Sequence, residues 1–190
     1  MKKLLLALFV GLGISAQAQY WQQAVHYDMD ITMDVVKHQY DGAQKITYTN
    51  NSPDTLHKAY FHLYFNAFQP ESMMDVRSRT IDDPDRRVRD RIEGLAADRI
   101  GYQEIRVLTQ NDAPLRWDVQ GTVLKCELAE PLLPGQSTVF DMTWNAQVPE
   151  QIRRSGWNNK EGIEFTMTQW YPKLAEYDED GWHEIGRAHV

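Results

Sequence analysis

The stretch YDMDITMDVVK, residues 27–37, sets apolar and polar side chains in strict alternation. Tyr27, Met29, Ile31, Met33 and Val35 fall on one side, and Asp28, Asp30, Thr32 and Asp34 on the other. Successive side chains of an extended strand point to opposite faces, so this period commits the stretch to a half-buried strand. The alternating aspartates invite a calcium reading. Ligands for one cation must converge, however, and carboxylates about 6.6 Å apart along a strand line its wet face instead.

The same texture recurs along most of the chain. YDGAQKITYTN reads as a second strand and NNSPD as the turn after it. In LHKAYFHLYFNAF, Phe61, Leu63 and Phe65 face one way and Tyr60, His62 and Tyr64 the other. Both faces carry aromatics, which predicts a central strand. His57 and His62 lie in it without a partner cluster and are read as packed, hydrogen-bonded side chains rather than ligands. Strand texture resumes in GYQEIRVLTQ, LRWDVQ, TVLKCEL and STVFDMTWNAQV, with NDAP, QG and PLLPGQ at the joints. Many short strands with such joints predict an all-β domain, an antiparallel β-sandwich or open saddle-like sheet. Between Pro70 and Ala97 the texture changes, and DDPDRRVRDRIEGL has few apolar residues and no sustained period. It reads as a charged surface excursion with one short helix; a basic recognition patch is disfavoured because acids are interleaved with the arginines. VPEQIRRSGWNNKEG is a long polar loop in which Arg153 and Arg154 could hold a carboxylate.

The first residues, MKKLLLALFVGLGISAQAQ, combine Lys2 and Lys3, an apolar run from Leu4 to Ile14, and the small pair Ala16 and Ala18. Residues 1–18 read as a secretory signal peptide, with export to the periplasm or beyond the cell and no membrane attachment after cleavage. An uncleaved anchor helix is the competing reading, opposed by the polar residues directly after Ile14. About 170 residues would remain, one domain of ordinary size. The chain carries a formal charge of −7 before the two lysines are removed, so it lacks the basic footprint that nucleic acid requires. Cys126 is the single cysteine, which excludes an intramolecular disulfide; with no histidine nearby in sequence it reads as a buried, inert thiol.

The run IEFTMTQWYPK, residues 163–173, is another strand-like segment, closing on Gln169, Trp170, Tyr171 and Pro172. Together with the aromatic YFHLYFNAF, the PLLPGQSTVFDM approach and the order of these motifs, it resembles the amino-terminal β domain of the gluzincin zinc aminopeptidases, the alanyl aminopeptidase family. The likeness is nearest to a secreted bacterial branch and spans roughly residues 20–183, within an N-terminal β domain expected over residues 19–183. In that family a strand ends in a Q-F-E-P-type motif at the edge of the active site. The resemblance implies that Gln169 contacts substrate through its side-chain amide, and that Pro172 stiffens the turn by fixing φ. Trp170 would be buried against a neighbouring domain or would touch ligand. Tyr171 departs from the pattern: it stands where the family commonly has a glutamate holding the peptide's amino terminus, and a neutral phenol cannot supply that charge. It remains a candidate substrate contact beside Gln169. Glu176 also departs, standing where the family pattern suggests arginine.

The family's catalysis belongs to a following domain with H-E-x-x-H, which residues 1–190 do not contain. HEIGRAHV imitates it only superficially, since Arg187 stands where the second histidine belongs and His189 is six positions from His183. The resemblance therefore implies zinc in a longer protein, none held by this piece, and no peptide hydrolysis by this piece alone. Its partners would be its own catalytic domain and a peptide substrate. EIGRAHV is also what a common sequencing-adapter string encodes, so residues 184–190 are expected to be a non-native tail. The competing class is a free-standing exported β-sandwich that binds protein or glycan through Trp21, Trp157 and Trp182.

Overall fold

The computed structural model describes residues 21–184; the signal-peptide reading and all of the tail except Glu184 lie outside them. Chain order gives β1 (Ala24–Asp34), β2 (Gln39–Thr49), β3 (Leu56–His62), a 3₁₀ turn (Tyr64–Phe68) and α1 (Met73–Thr80). There follow β4 (Tyr102–Gln110), β5 (Ala113–Pro114), β6 (Trp117–Gln120), β7 (Val123–Leu132) and β8 (Ser137–Gln147). The short β9 (Lys173–Leu174), β10 (Tyr177–Asp178) and β11 (Gly181–Trp182) close the described chain. One antiparallel sheet runs β1-β2-β8-β4-β5, a second β6-β7-β3-β9, and β10 and β11 pair with each other. The expected all-β, sandwich-like class is what forms.

Alternation explains the register. Along β2 the residues Tyr40, Gly42, Gln44, Ile46 and Tyr48 are buried while Asp41, Ala43 and Lys45 are exposed. Opposite them, β8 buries Thr138, Phe140, Met142, Trp144 and Ala146. Phe61 of β3 meets Phe140 of β8 edge to face at 5.8 Å and joins the two sheets, a geometry that suits the ring quadrupoles. On β1, Asp28, Asp30 and Asp34 are exposed and Tyr27, Met29, Ile31 and Met33 half-buried, as the alternation requires. Val35 is a correction, because the strand stops at Asp34. The Asp34 carboxylate accepts the backbone N–H groups of Val36 and Lys37, turning the chain so that Val35 is left exposed.

Three further expectations give way to contacts made outside the local pattern. The aromatic strand ends at His62 rather than running to Phe68. Asn66 pins a 3₁₀ turn there by accepting the Gln103 N–H at 2.8 Å and donating to the Gly121 carbonyl at 3.2 Å. The charged excursion does form one short helix, capped by Ser72. It is not confined to the surface, since Val88 and Ile92 are core residues and the buried Asp75 carboxylate is bound by Arg79 at 3.0 Å. IEFTMTQWYPK forms no strand before Lys173; it is an irregular strap bridged to Gly156 through Thr166.

The polar loop folds back on the excursion. Arg153 finds its carboxylate within the chain, 3.3 Å from Asp85, while Arg154 stays exposed. The Asp85 carboxyl is lowered to about 2, first by the hydrogen bond from the Arg87 side chain. Cys126 is buried with its thiol pushed up to about 12 by desolvation, which keeps it protonated and inert. His62 is buried and stacked on Tyr64 at 5.0 Å, as a packed histidine, whereas His57 is exposed.

Gly42 is required by Trp144, its partner across the β2–β8 ladder. A Cβ at position 42 would lie 2.2 Å from the indole Cζ2, and the indole is fully buried. We expect Gly42→Ala to destabilise the fold by about 1–3 kcal/mol through overpacking. Urea unfolding measures this, and an unchanged midpoint would show that the indole is free to move aside.

Candidate functional site

The strap from Gln169 to Leu174 crosses the inner face of the larger sheet and is held there by side chains. The Trp170 carbonyl accepts two hydrogen bonds, from the Tyr40 hydroxyl and from Gln103 Nε2 at 2.6 Å. The Pro172 carbonyl accepts one from Gln44 Nε2 at 2.9 Å. The Leu174 N–H donates to the Tyr27 hydroxyl at 3.0 Å. Tyr40, Gln44 and Gln103 are all buried, so their bonds to the strap are shielded from much of the competing water. Local sequence explains why no ladder forms here. Pro172 has no N–H to give, and Gln169 sits at φ 56°, which breaks the extended chain.

This arrangement decides where the predicted site residues go. Gln169 is exposed. Tyr171 is half-buried, its ring edge-on to Tyr27 at 5.4 Å and to Trp170 at 5.3 Å. Trp170 is half-buried against Tyr40 within the domain. Pro172 is buried and Glu176 exposed. The three tryptophans of the binding-module reading are engaged inside the chain rather than displayed. Trp157 stacks flat on His38 at 3.9 Å, Trp21 stacks on Tyr177, and Trp182 packs with Tyr48, Tyr60 and Tyr177.

Beside the strap lies a groove of about 760 Å³, which neither Gln169 nor Tyr171 lines. Its walls come from Trp21, Tyr27, Tyr48 and Tyr64, and Lys173, Glu176 and Glu179 also line it. Tyr48 is 2% exposed, and its hydroxyl has no hydrogen-bond partner among the described residues. An orphaned buried hydroxyl costs about 1–3 kcal/mol. The Asp178 carboxylate in the lining lies 2.6 Å from His183 Nε2. The described part of the tail, Glu184, places its carboxylate beside the Tyr60 hydroxyl. Among the described residues no three His, Cys, Asp or Glu side chains converge as metal ligands would, so these residues do not fit a resident zinc.

Sequence reasoning missed the groove and the residues that anchor the strap. The anchors left a signal. Gln44 occupies the apolar phase of β2, between Gly42 and Ile46, where an amide is out of place unless it is bonded.

No family model matches the chain, and no curated protein matches it. Among solved structures it is similar to the M1 zinc metallopeptidase from Deinococcus radiodurans, with 15% identity and a TM-score of 0.46 over 78% of this chain and 26% of that one. A mutant of that protein bound to a Tyr-Ser-Ala substrate gives 15% identity and a TM-score of 0.48 over 80% and 29%. A third structure, of the same mutant, gives 14% and 0.48 over the same shares. The chain thus spans under a third of the length of these neighbours.

The phenols around the strap set an alkaline limit. Burial raises Tyr27 and Tyr40 well above the ordinary phenol value, and pushes Tyr60 and Tyr177 up to about 12. A raised folded-state pKa contributes stability that is complete below the unfolded value of about 10 and is lost as pH rises through the folded value. We expect phenolate absorbance to appear in two stages, the later one coinciding with loss of near-ultraviolet circular dichroism above about pH 10. A single stage centred on the free-phenol value, with the fold intact, would contradict the burial.

Proposed function

We propose that this chain is the substrate-edge and scaffold domain of an exported, periplasmic or extracellular, zinc metallopeptidase, in which a following domain carries out peptide hydrolysis. The observation that carries the reading is the strap itself. A segment resembling the family's Q-F-E-P motif is fixed by four side chains, leaving the Gln169 amide exposed while the backbone on its C-terminal side is held. A substrate contact needs a rigid mount, because small misplacements are costly in rate. Gln169 would hydrogen-bond peptide, and Tyr171, uncharged, would offer its ring edge or hydroxyl rather than a counter-ion for the amino terminus. Zinc would be held by the catalytic domain, the chain's principal partner, where it would polarise the scissile carbonyl and activate water.

The free-standing binding-module reading is weaker on this geometry, since the tryptophans it relies on are packed within the chain. Sequencing of the native gene beyond the codon for His183 separates the two. An in-frame H-E-x-x-H is expected, and a stop codon there would overturn the proposal. In the extended, zinc-loaded protein Gln169→Ala should lower kcat/KM for peptides by about three- to tenfold, the worth of one hydrogen bond. Unchanged kinetics would remove Gln169 from the site.

A further inference from the structure

The dipeptide Asp-Gly occurs twice in the chain, at 41–42 and at 180–181. It is the aspartate context most open to attack by the next backbone nitrogen, because glycine brings no side chain to shield its own N–H. The fold treats the two occurrences in opposite ways.

At the first, both reacting groups are held. The Asp41 carboxylate is 3.4 Å from Arg106 and accepts from Asn145 Nδ2 at 3.2 Å. Gly42 lies in a strand laddered on both sides, pairing with Ile31 and with Trp144, and the Trp144 indole closes over it. Bringing this carboxyl onto this nitrogen requires the sheet to open.

At the second, none of these restraints is present. Asp180 stands in the turn between β10 and β11, exposed, and its carboxylate has no hydrogen-bond or ion-pair partner among the described residues. Gly181 sits at φ 99°, and the space where its Cβ would lie is open for 4 Å. The turn is held by the Asp178 carboxylate, which accepts the Asp180 N–H at 2.9 Å, and by a ladder of only two pairs, Asp178 with Gly181 and Tyr177 with Trp182. So short a hairpin opens locally at little cost.

We propose that Asp180–Gly181 is a site of spontaneous isoaspartate formation, and that the change detaches Trp182 from its aromatic neighbours. The Gly181 nitrogen attacks the side-chain carbonyl carbon of Asp180. A C–N bond forms, the carboxyl hydroxyl leaves with the amide proton as water, and a five-membered succinimide results. Water then adds to the backbone carbonyl of Asp180 and breaks its bond to the Gly181 nitrogen, which stays linked through the side-chain carbon. One water is lost and one regained, so nothing else is consumed. The main chain gains a methylene between Asp178 and Trp182, which throws both ladder pairs out of register. Trp182, whose ring packs with Tyr48 at 6.2 Å, Tyr60 at 5.8 Å and Tyr177 at 5.2 Å, is carried by the displaced strand. The inference does not depend on the peptidase reading, because it uses neither Gln169 nor Tyr171.

Incubation of the purified chain at physiological temperature and neutral pH for several weeks, followed by tryptic peptide mapping, tests it. Trypsin separates the two occurrences, since Asp41 falls in the peptide 38–45 and Asp180 in 174–187. Electron-transfer fragmentation locates the isoaspartate, and labelling by an isoaspartyl methyltransferase gives a second readout. We expect position 180 to convert at least about tenfold faster than position 41, with tryptophan emission shifting in step with the conversion. Asp180→Glu keeps the charge at an exposed position and so the fold, but its longer side chain would have to close a less favourable six-membered ring. This variant should lose both the label in 174–187 and the emission shift. An Asp180 that stays linked through its backbone carbonyl, equal rates at the two positions, or emission unchanged in converted protein overturns the proposal.

Discussion

The Trp170 carbonyl, accepting from both Tyr40 and Gln103, is the interaction on which the arrangement of the strap depends. A carbonyl oxygen has two lone pairs, and here both are taken by buried side chains from different strands, β2 and β4, which lie on either side of β8. The strap is thereby tied across the sheet rather than along one strand. With Gln44 on the Pro172 carbonyl, the chain is fixed on either side of Tyr171. Losing Gln44 would leave the carbonyl of the buried Pro172 without its donor, which costs more than the bond itself contributes. The exposed Gln169 and the half-buried Tyr171 therefore inherit the rigidity of the sheet.

That rigidity also shapes the groove. Tyr27 reaches from β1 to the Leu174 N–H, and Leu174 pairs with Phe61 at the edge of the second sheet. The groove is walled by β1, the ends of β2 and β3, and the chain from Lys173 onward. Strap and groove are two products of the same seam, where the small sheet runs out and side chains take over from ladder hydrogen bonds. Val88, Ile92 and the buried Asp75–Arg79 pair act comparably at the excursion, which is anchored in the body of the domain despite its charge.

Strands with one wet face were legible. The alternation in β1, β2 and β8 places every aspartate of β1 outside and the Phe140, Met142, Trp144 row inside, because a period of two leaves no other register. Periodicity failed where hydrogen bonds outside the local pattern decide. It carried the aromatic strand past His62, where Asn66 turns the chain, and it read residues 163–173 as a strand although their backbone bonds go largely to side chains distant in sequence. It missed Val88 and Ile92 because two core contacts in a charged segment have no repeat to betray them. Of the candidate site, the exposure of Gln169 follows from the strap's course, which the linear sequence does not encode locally. The groove was invisible because its walls come from four separate parts of the chain. The buried glutamines could have been read as anchors, since an amide in an apolar phase must find a partner.

The most direct test is the backbone order of the strap itself. ¹⁵N relaxation should give Trp170, Tyr171 and Leu174 order parameters near the rigid value of about 0.85, comparable with those of β2 and β8. Values below about 0.6 across these residues would mean that the strap moves independently of the sheet, and the mount proposed for Gln169 would not exist.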